Sequence, residues 1–154
     1  MARYYTTPPG VVKRNAILLG ATIVTTFVVL RLALFISPDS DFNVGPYNIH
    51  HLFTGLLLIT LGGIPLAVFR GFTRRLDLAL VVFGVGLGMA LDEWVYLIAT
   101  EGTNAAYLLP VSWWGGVTLV ALACAYTVAL VLYRTWLRPH EQHRPDHPDD
   151  GAIP

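Results

Sequence analysis

The chain has 154 residues, 55% of them hydrophobic and 13% charged, with a formal net charge of zero and a mean hydropathy of +0.58. So apolar a composition excludes an ordinary soluble domain and fits a single polytopic membrane domain, and the neutral balance gives no reason to expect a nucleic-acid partner. The one cysteine, Cys124, excludes an internal disulfide and reads as a small packing residue in an apolar run.

Residues 1–15 read as a short polar arm with Arg3, Lys13 and Arg14, in which Pro8-Pro9-Gly10 interrupts a helix. Residues 16–36 are mostly apolar and suffice for one crossing, which takes about 20 residues. Basic residues before an apolar run also describe a signal peptide. Here Arg31 interrupts the run and no small-x-small site follows, so a retained first helix is expected. Ser37 to Pro46 is turn-rich, with Asp39 and Asp41 and no Lys or Arg. A second helix is expected over 48–69, bent near Gly62-Gly63 and Pro65, where proline removes a backbone hydrogen bond.

Arg70 to Arg75 is a short basic loop. A third helix over 76–99 follows, with Asp77 in its first turn, where the helix dipole favours an anion. Residues 101–109 form a second loop without Lys or Arg, and a fourth helix is expected over 110–133, with Pro110 suited to its first turn. Residues 139–154 are rich in Pro, His and Asp and read as a disordered cytoplasmic tail. Its His140, His143 and His147 read as solvated residues before metal ligands. The expected fold is an all-α integral membrane protein, a four-transmembrane-helix bundle over residues 1–138.

Charge orients it. Nine of the ten basic residues (Arg3, Lys13, Arg14, Arg70, Arg74, Arg75, Arg134, Arg138 and Arg144) fall on one side of the four spans, and the tenth, Arg31, lies within the first. By the positive-inside rule both termini are cytoplasmic, in a multi-pass protein of the plasma membrane. Tyr47, Trp94, Tyr107, Trp113 and Trp114 then approach the outer interface, where amphipathic aromatics are favoured.

The functional question centres on the run from Val81 to Ile98, which carries two adjacent carboxylates, Asp92 and Glu93. A charge within a spanning helix costs about 2.5–3.5 kcal/mol on insertion scales, so such groups need partners and often mark function. Arg31, His50 and His51 are the ionisable residues available from other helices. A helix rises about 1.5 Å per residue, so the distance from Arg14 to Arg31, from Arg70 back to His51 and from Arg75 to Asp92 is about 25–28 Å in each case. From Arg134 back to Trp114 it is about 30 Å. Polar or amphipathic groups of all four helices therefore share one layer near the outer face.

Facing narrows this further. Gly84, Gly88, Asp92 and Tyr96 are spaced by four and form one stripe, along which small residues let another helix approach. His51 shares a stripe with Gly55, and the second and third helices are antiparallel neighbours, which sets the histidine pair opposite the carboxylate pair. Three readings follow. His50, His51, Asp92 and Glu93 are a candidate shell for one divalent transition metal, Zn, Fe or Mn, although adjacent residues diverge by about 100° on a helix. Alternatively Arg31 and a protonated histidine neutralise the carboxylates in a structural network, or the groups form a proton or ion relay. As an enzyme, the metal reading implies metal-assisted hydrolysis or oxidation of a lipid or periplasmic molecule. The rival is a non-catalytic membrane subunit or scaffold, whose partners are the bilayer and other subunits or a second copy of the chain.

Overall fold

A computed structural model of the chain describes residues 8–37, 43–44, 47–48, 51–69, 71, 73–101 and 104–141. In order, they form helix α1 (Pro9–Ile36), strands β1 (Asn43–Val44) and β2 (Tyr47–Asn48), helices α2 (His51–Val68) and α3 (Arg74–Ala99), the single turn α4 (Asn104–Tyr107), and α5 (Pro110–Glu141). Four of the helices, α1, α2, α3 and α5, are long and apolar enough to cross a membrane.

The helix ends follow local chemistry. α1 starts at Pro9, not at residue 16, because a proline at the first helical position loses no intrahelical bond, and the Pro8 carbonyl accepts from the Val11 and Val12 amides. α3 starts at Arg74, with Thr73 as its cap accepting from the Leu76 amide, and Asp77 lies in its first turn. Gly71, in the short connection before it, takes φ +112°, a value that L side chains rarely adopt.

α2 starts at His51 because Tyr47 and Asn48 are held in an antiparallel pair, Val44 opposite Tyr47 and Asn43 opposite Asn48. The two-residue separation of β1 and β2 is a hairpin spacing. α5 runs on through residues 134–141, so its last residues are helical where a disordered tail was expected. Each residue added to a formed helix gains a hydrogen bond, which carries it past polar positions. Of the tail histidines, His140 lies within α5, while His143 and His147 lie outside the described residues.

α3 is the central helix and packs against α1, α2 and α5; α1 and α5 also pack against each other. Two ion pairs hold α1 and α3 parallel: Arg14 with Asp77 near their N-terminal ends, and Arg31 with Asp92 near the other. Between them the Gly84–Gly88 stripe receives α1, Gly84 against Thr22 and Leu19, Gly88 against Thr26 and Ile23.

α2 runs antiparallel along a different face of α3, where the backbones themselves come together. A Cβ at Gly86 would lie 2.5 Å from the Gly55 carbonyl oxygen, and one at Gly62 would lie 2.5 Å from the Ala79 carbonyl oxygen. Such close approach gives the two helices many dispersion contacts, each small and together large.

These contacts make the glycines unequal. Gly86→Leu forces the α2 backbone away and is expected to destabilise the purified protein by about 1–3 kcal/mol. Gly20→Ala, with nothing within 4 Å of the added methyl, should be neutral or gain up to about 1 kcal/mol from helix propensity. Thermal unfolding of both variants in one detergent checks the contrast; equal losses would contradict the α2–α3 packing.

Candidate functional site

Arg31 sits on α1, in the sequence layer it was expected to share with the carboxylates, and only 5% of it is exposed. Its Nε donates to Asp92 Oδ1 at 2.6 Å. One terminal nitrogen donates to the Tyr107 carbonyl at 3.1 Å, and the other donates to the carbonyls of Ser112 at 3.1 Å and Asp92 at 3.3 Å. Both nitrogens also lie 3.4 Å from the Ser112 hydroxyl. The guanidinium thus joins α1, α3, the α4 turn and the start of α5.

Aromatic rings enclose it. The guanidinium carbon lies 4.6 Å from the Tyr107 ring centre, 5.5 Å from Phe27 and 5.6 Å from Trp113, within the range of cation–π attraction. Gly116 makes room for this group, since a Cβ there would stand 2.9 Å from the Phe27 ring and 3.1 Å from an Arg31 nitrogen.

Asp92 is fully buried and uses both oxygens within the protein: Oδ1 accepts from Arg31, and Oδ2 accepts from the Tyr107 hydroxyl. Burial first, and then the adjoining Asp92 carboxylate, push the Tyr107 hydroxyl above its ordinary range, so it remains the proton donor of the pair. Glu93, 1% exposed, turns to a different helix and accepts from the Leu52 amide in the first turn of α2. It caps that helix from outside, where the helix dipole favours an anion.

Of the expected shell of His50, His51, Asp92 and Glu93, the two carboxylates bond to different neighbours, and His51 lies near enough to Asp92 to act on its charge. Adjacent positions diverge by about 100°, so Asp92 faces α1 and α5 while Glu93 faces α2. His51 is half-buried at the start of α2, beside Leu52; His50 lies outside the described residues. No group of three or more His, Cys, Asp or Glu side chains is placed to hold a metal ion among the described residues.

Two members of the network were not singled out in the sequence. Tyr107 had been placed among the interface aromatics, yet only 5% of it is exposed, whereas Trp94, Trp113 and Trp114 are 45–65% exposed. Ser112, fully buried, is an ordinary residue type in an apolar run. Depth did not mark it: counted back from Arg134, it lies about 33 Å along the helix, about 8 Å beyond the depth that the same ruler gives Arg31 and Asp92.

Arg31→Met leaves the Asp92 anion without its cation and is expected to cost about 3–5 kcal/mol. Combining it with Asp92→Asn should recover part of that loss, and strictly additive losses would refute the coupling. Tyr107→Phe, measured in parallel, should cost about 1.5–3 kcal/mol, the range for a hydrogen bond to a charged group. The raised Tyr107 value also has a sign in pH. Its stabilising contribution is complete below the unfolded tyrosine value of about 10 and is lost as pH rises through the folded value. Unfolding followed from pH 8 to 12 should therefore fall less steeply in Tyr107→Phe than in the parent. No family model, no curated protein and no solved structure matches this chain, so the roles of these residues rest on their geometry alone.

Proposed function

We propose that the chain is a four-span protein of the plasma membrane with both termini cytoplasmic, serving as a non-catalytic membrane subunit or scaffold whose buried Arg31–Asp92 network fixes the helix arrangement. The observation that carries this reading is saturation. Both Asp92 oxygens and every Arg31 nitrogen have protein partners, and among the described residues no buried side-chain nitrogen or oxygen lacks one. A catalytic or transporting centre keeps a group available to its substrate or ion. In this cluster Asp92, Glu93 and Ser112 are at most 1% exposed.

The membrane reading draws on an inverted distribution of polarity. Arg31, Asp92, Glu93 and Ser112 are interior, while Phe35, Ile36, Leu57, Leu61, Phe69 and Leu122 are more than half exposed. Water would penalise such an apolar exterior, and lipid accepts it. The orientation draws on the basic residues, which gather at the ends of α1, α3 and α5 remote from the network.

Two measurements test this. In a Cys124→Ala background, cysteines at Ser37 and Glu101 should react with an impermeant thiol reagent from outside intact cells, and one at Arg75 only after permeabilisation. The opposite pattern would overturn the orientation. Purified protein and its His51→Ala variant should carry no stoichiometric Zn, Fe or Mn. A near-stoichiometric metal that disappears in His51→Ala would replace the structural reading with the metal site of His50, His51, Asp92 and Glu93.

A further inference from the structure

At the end remote from the Arg31 network, α1, α3 and α5 line a groove of about 790 Å³. Packing contacts of α1 with α5 lie toward the network: Ile23 and Phe27 against Val120, Phe27 against Trp113 and Gly116, and Arg31 with Ser112. Phe83 and Leu87 of α3 line it between the two walls.

The groove runs from Val12 to Ile23 on α1 and from Ala123 to Arg134 on α5. Each wall spans 12 residues, or about 16 Å end to end. That length matches one leaflet, half of the roughly 30 Å hydrocarbon core. The lining is mostly apolar. Its Thr127 hydroxyl already donates to the Ala123 carbonyl at 2.8 Å, so the interior makes no demand for a polar ligand. The mouth is cationic: Arg134 lines it, and exposed Lys13 adjoins Val12.

We propose that this groove holds one acyl chain of an anionic phospholipid from the leaflet on the side of the termini, with the lipid phosphate against Arg134. The inference rests on the membrane reading above. Length, apolar lining and a cation at the headgroup level are together what such a lipid requires. A second copy of the chain suits the groove less well. Both copies would have the same orientation in the bilayer, so Arg134 and Lys13 of each would meet at one depth and repel.

The test is native mass spectrometry of the full chain, released from mild detergent after incubation with equal amounts of phosphatidylglycerol and phosphatidylcholine. The expected result is one phosphatidylglycerol retained in preference to phosphatidylcholine. Arg134→Gln should weaken that preference about fivefold, the effect of one basic residue near an anionic headgroup. Ala123→Phe should reduce retention of both lipids by filling the groove, and unchanged far-ultraviolet dichroism would show that the variant still folds. Equal retention of the two lipids, an Arg134→Gln variant indistinguishable from the parent, or a lipid-free dimer would each overturn the proposal. Extraction of the cell membranes with alkaline carbonate separates this failure from that of the membrane reading. A chain that stays in the pellet but shows no lipid preference refutes the lipid site alone, and a chain released to the supernatant refutes both.

Discussion

The buried pair of Arg31 and Asp92 is the constraint on which the arrangement of α1, α3 and α5 depends. Removing two opposite charges from water costs several kcal/mol per ion, and their attraction recovers this only when the remaining donors and acceptors are also satisfied. The rest of the site can be understood from that requirement. Ser112 and the Tyr107 carbonyl take the guanidinium protons that Asp92 does not, and the Tyr107 hydroxyl takes the second Asp92 oxygen. Phe27, Trp113 and the Tyr107 ring surround the guanidinium, and Gly116 leaves the space that it needs. The Tyr107 hydroxyl is the partner that an apolar side chain could not replace without leaving an Asp92 oxygen unmet.

The adjacency of Asp92 and Glu93 is a consequence of the central position of α3. A helix with neighbours on several sides needs polar groups that diverge, and successive residues supply about 100° of divergence with a rise of only about 1.5 Å. Asp92 therefore ties α3 to α1 and α5, and Glu93 ties it to the start of α2. α2 rests chiefly on α3, so the cap from Glu93 and the close approach at Gly55, Gly62 and Gly86 account for most of its attachment. The two carboxylates thus bond to different neighbours at nearly one level.

What could be read from the sequence was whatever is carried by a single segment. Long apolar runs, the Gly84–Gly88–Asp92 stripe and the depth shared by Arg31 and Asp92 all appear in the order of residues, because helical rise and periodicity are local properties. The side of α3 that receives α1, and the choice of Asp92 over Glu93 as the partner of Arg31, are set by how separate helices pack. Tyr107 and Ser112 lie 76 and 81 residues from Arg31 and belong to types common in loops and apolar helices. Their roles arise only once the chain has returned to the same place. Equal depth is legible in the sequence, but contact also requires a common facing: His51 lies near enough to Asp92 to act on its charge, and His50 lies outside the described residues.

The two ends of the helix assembly differ in how firmly they are held. At one end the α1–α3 pair is a desolvated, fully bonded arginine and aspartate. At the other it is Arg14 with Asp77, whose side chains are 55% and 36% exposed. Exposed pairs contribute about 0–1 kcal/mol and are screened by salt. The same end carries the groove that α1, α3 and α5 line. A fold sealed at one face and loosely joined at the other concentrates its freedom of movement at the loose face, because separating packed helices there breaks the fewest bonds. On the membrane reading proposed above, a lipid chain in the groove would supply the contact between α1 and α5 that side chains supply near Arg31, and would do so without a fixed hydrogen bond, leaving the spacing of the helices sensitive to the lipids around them.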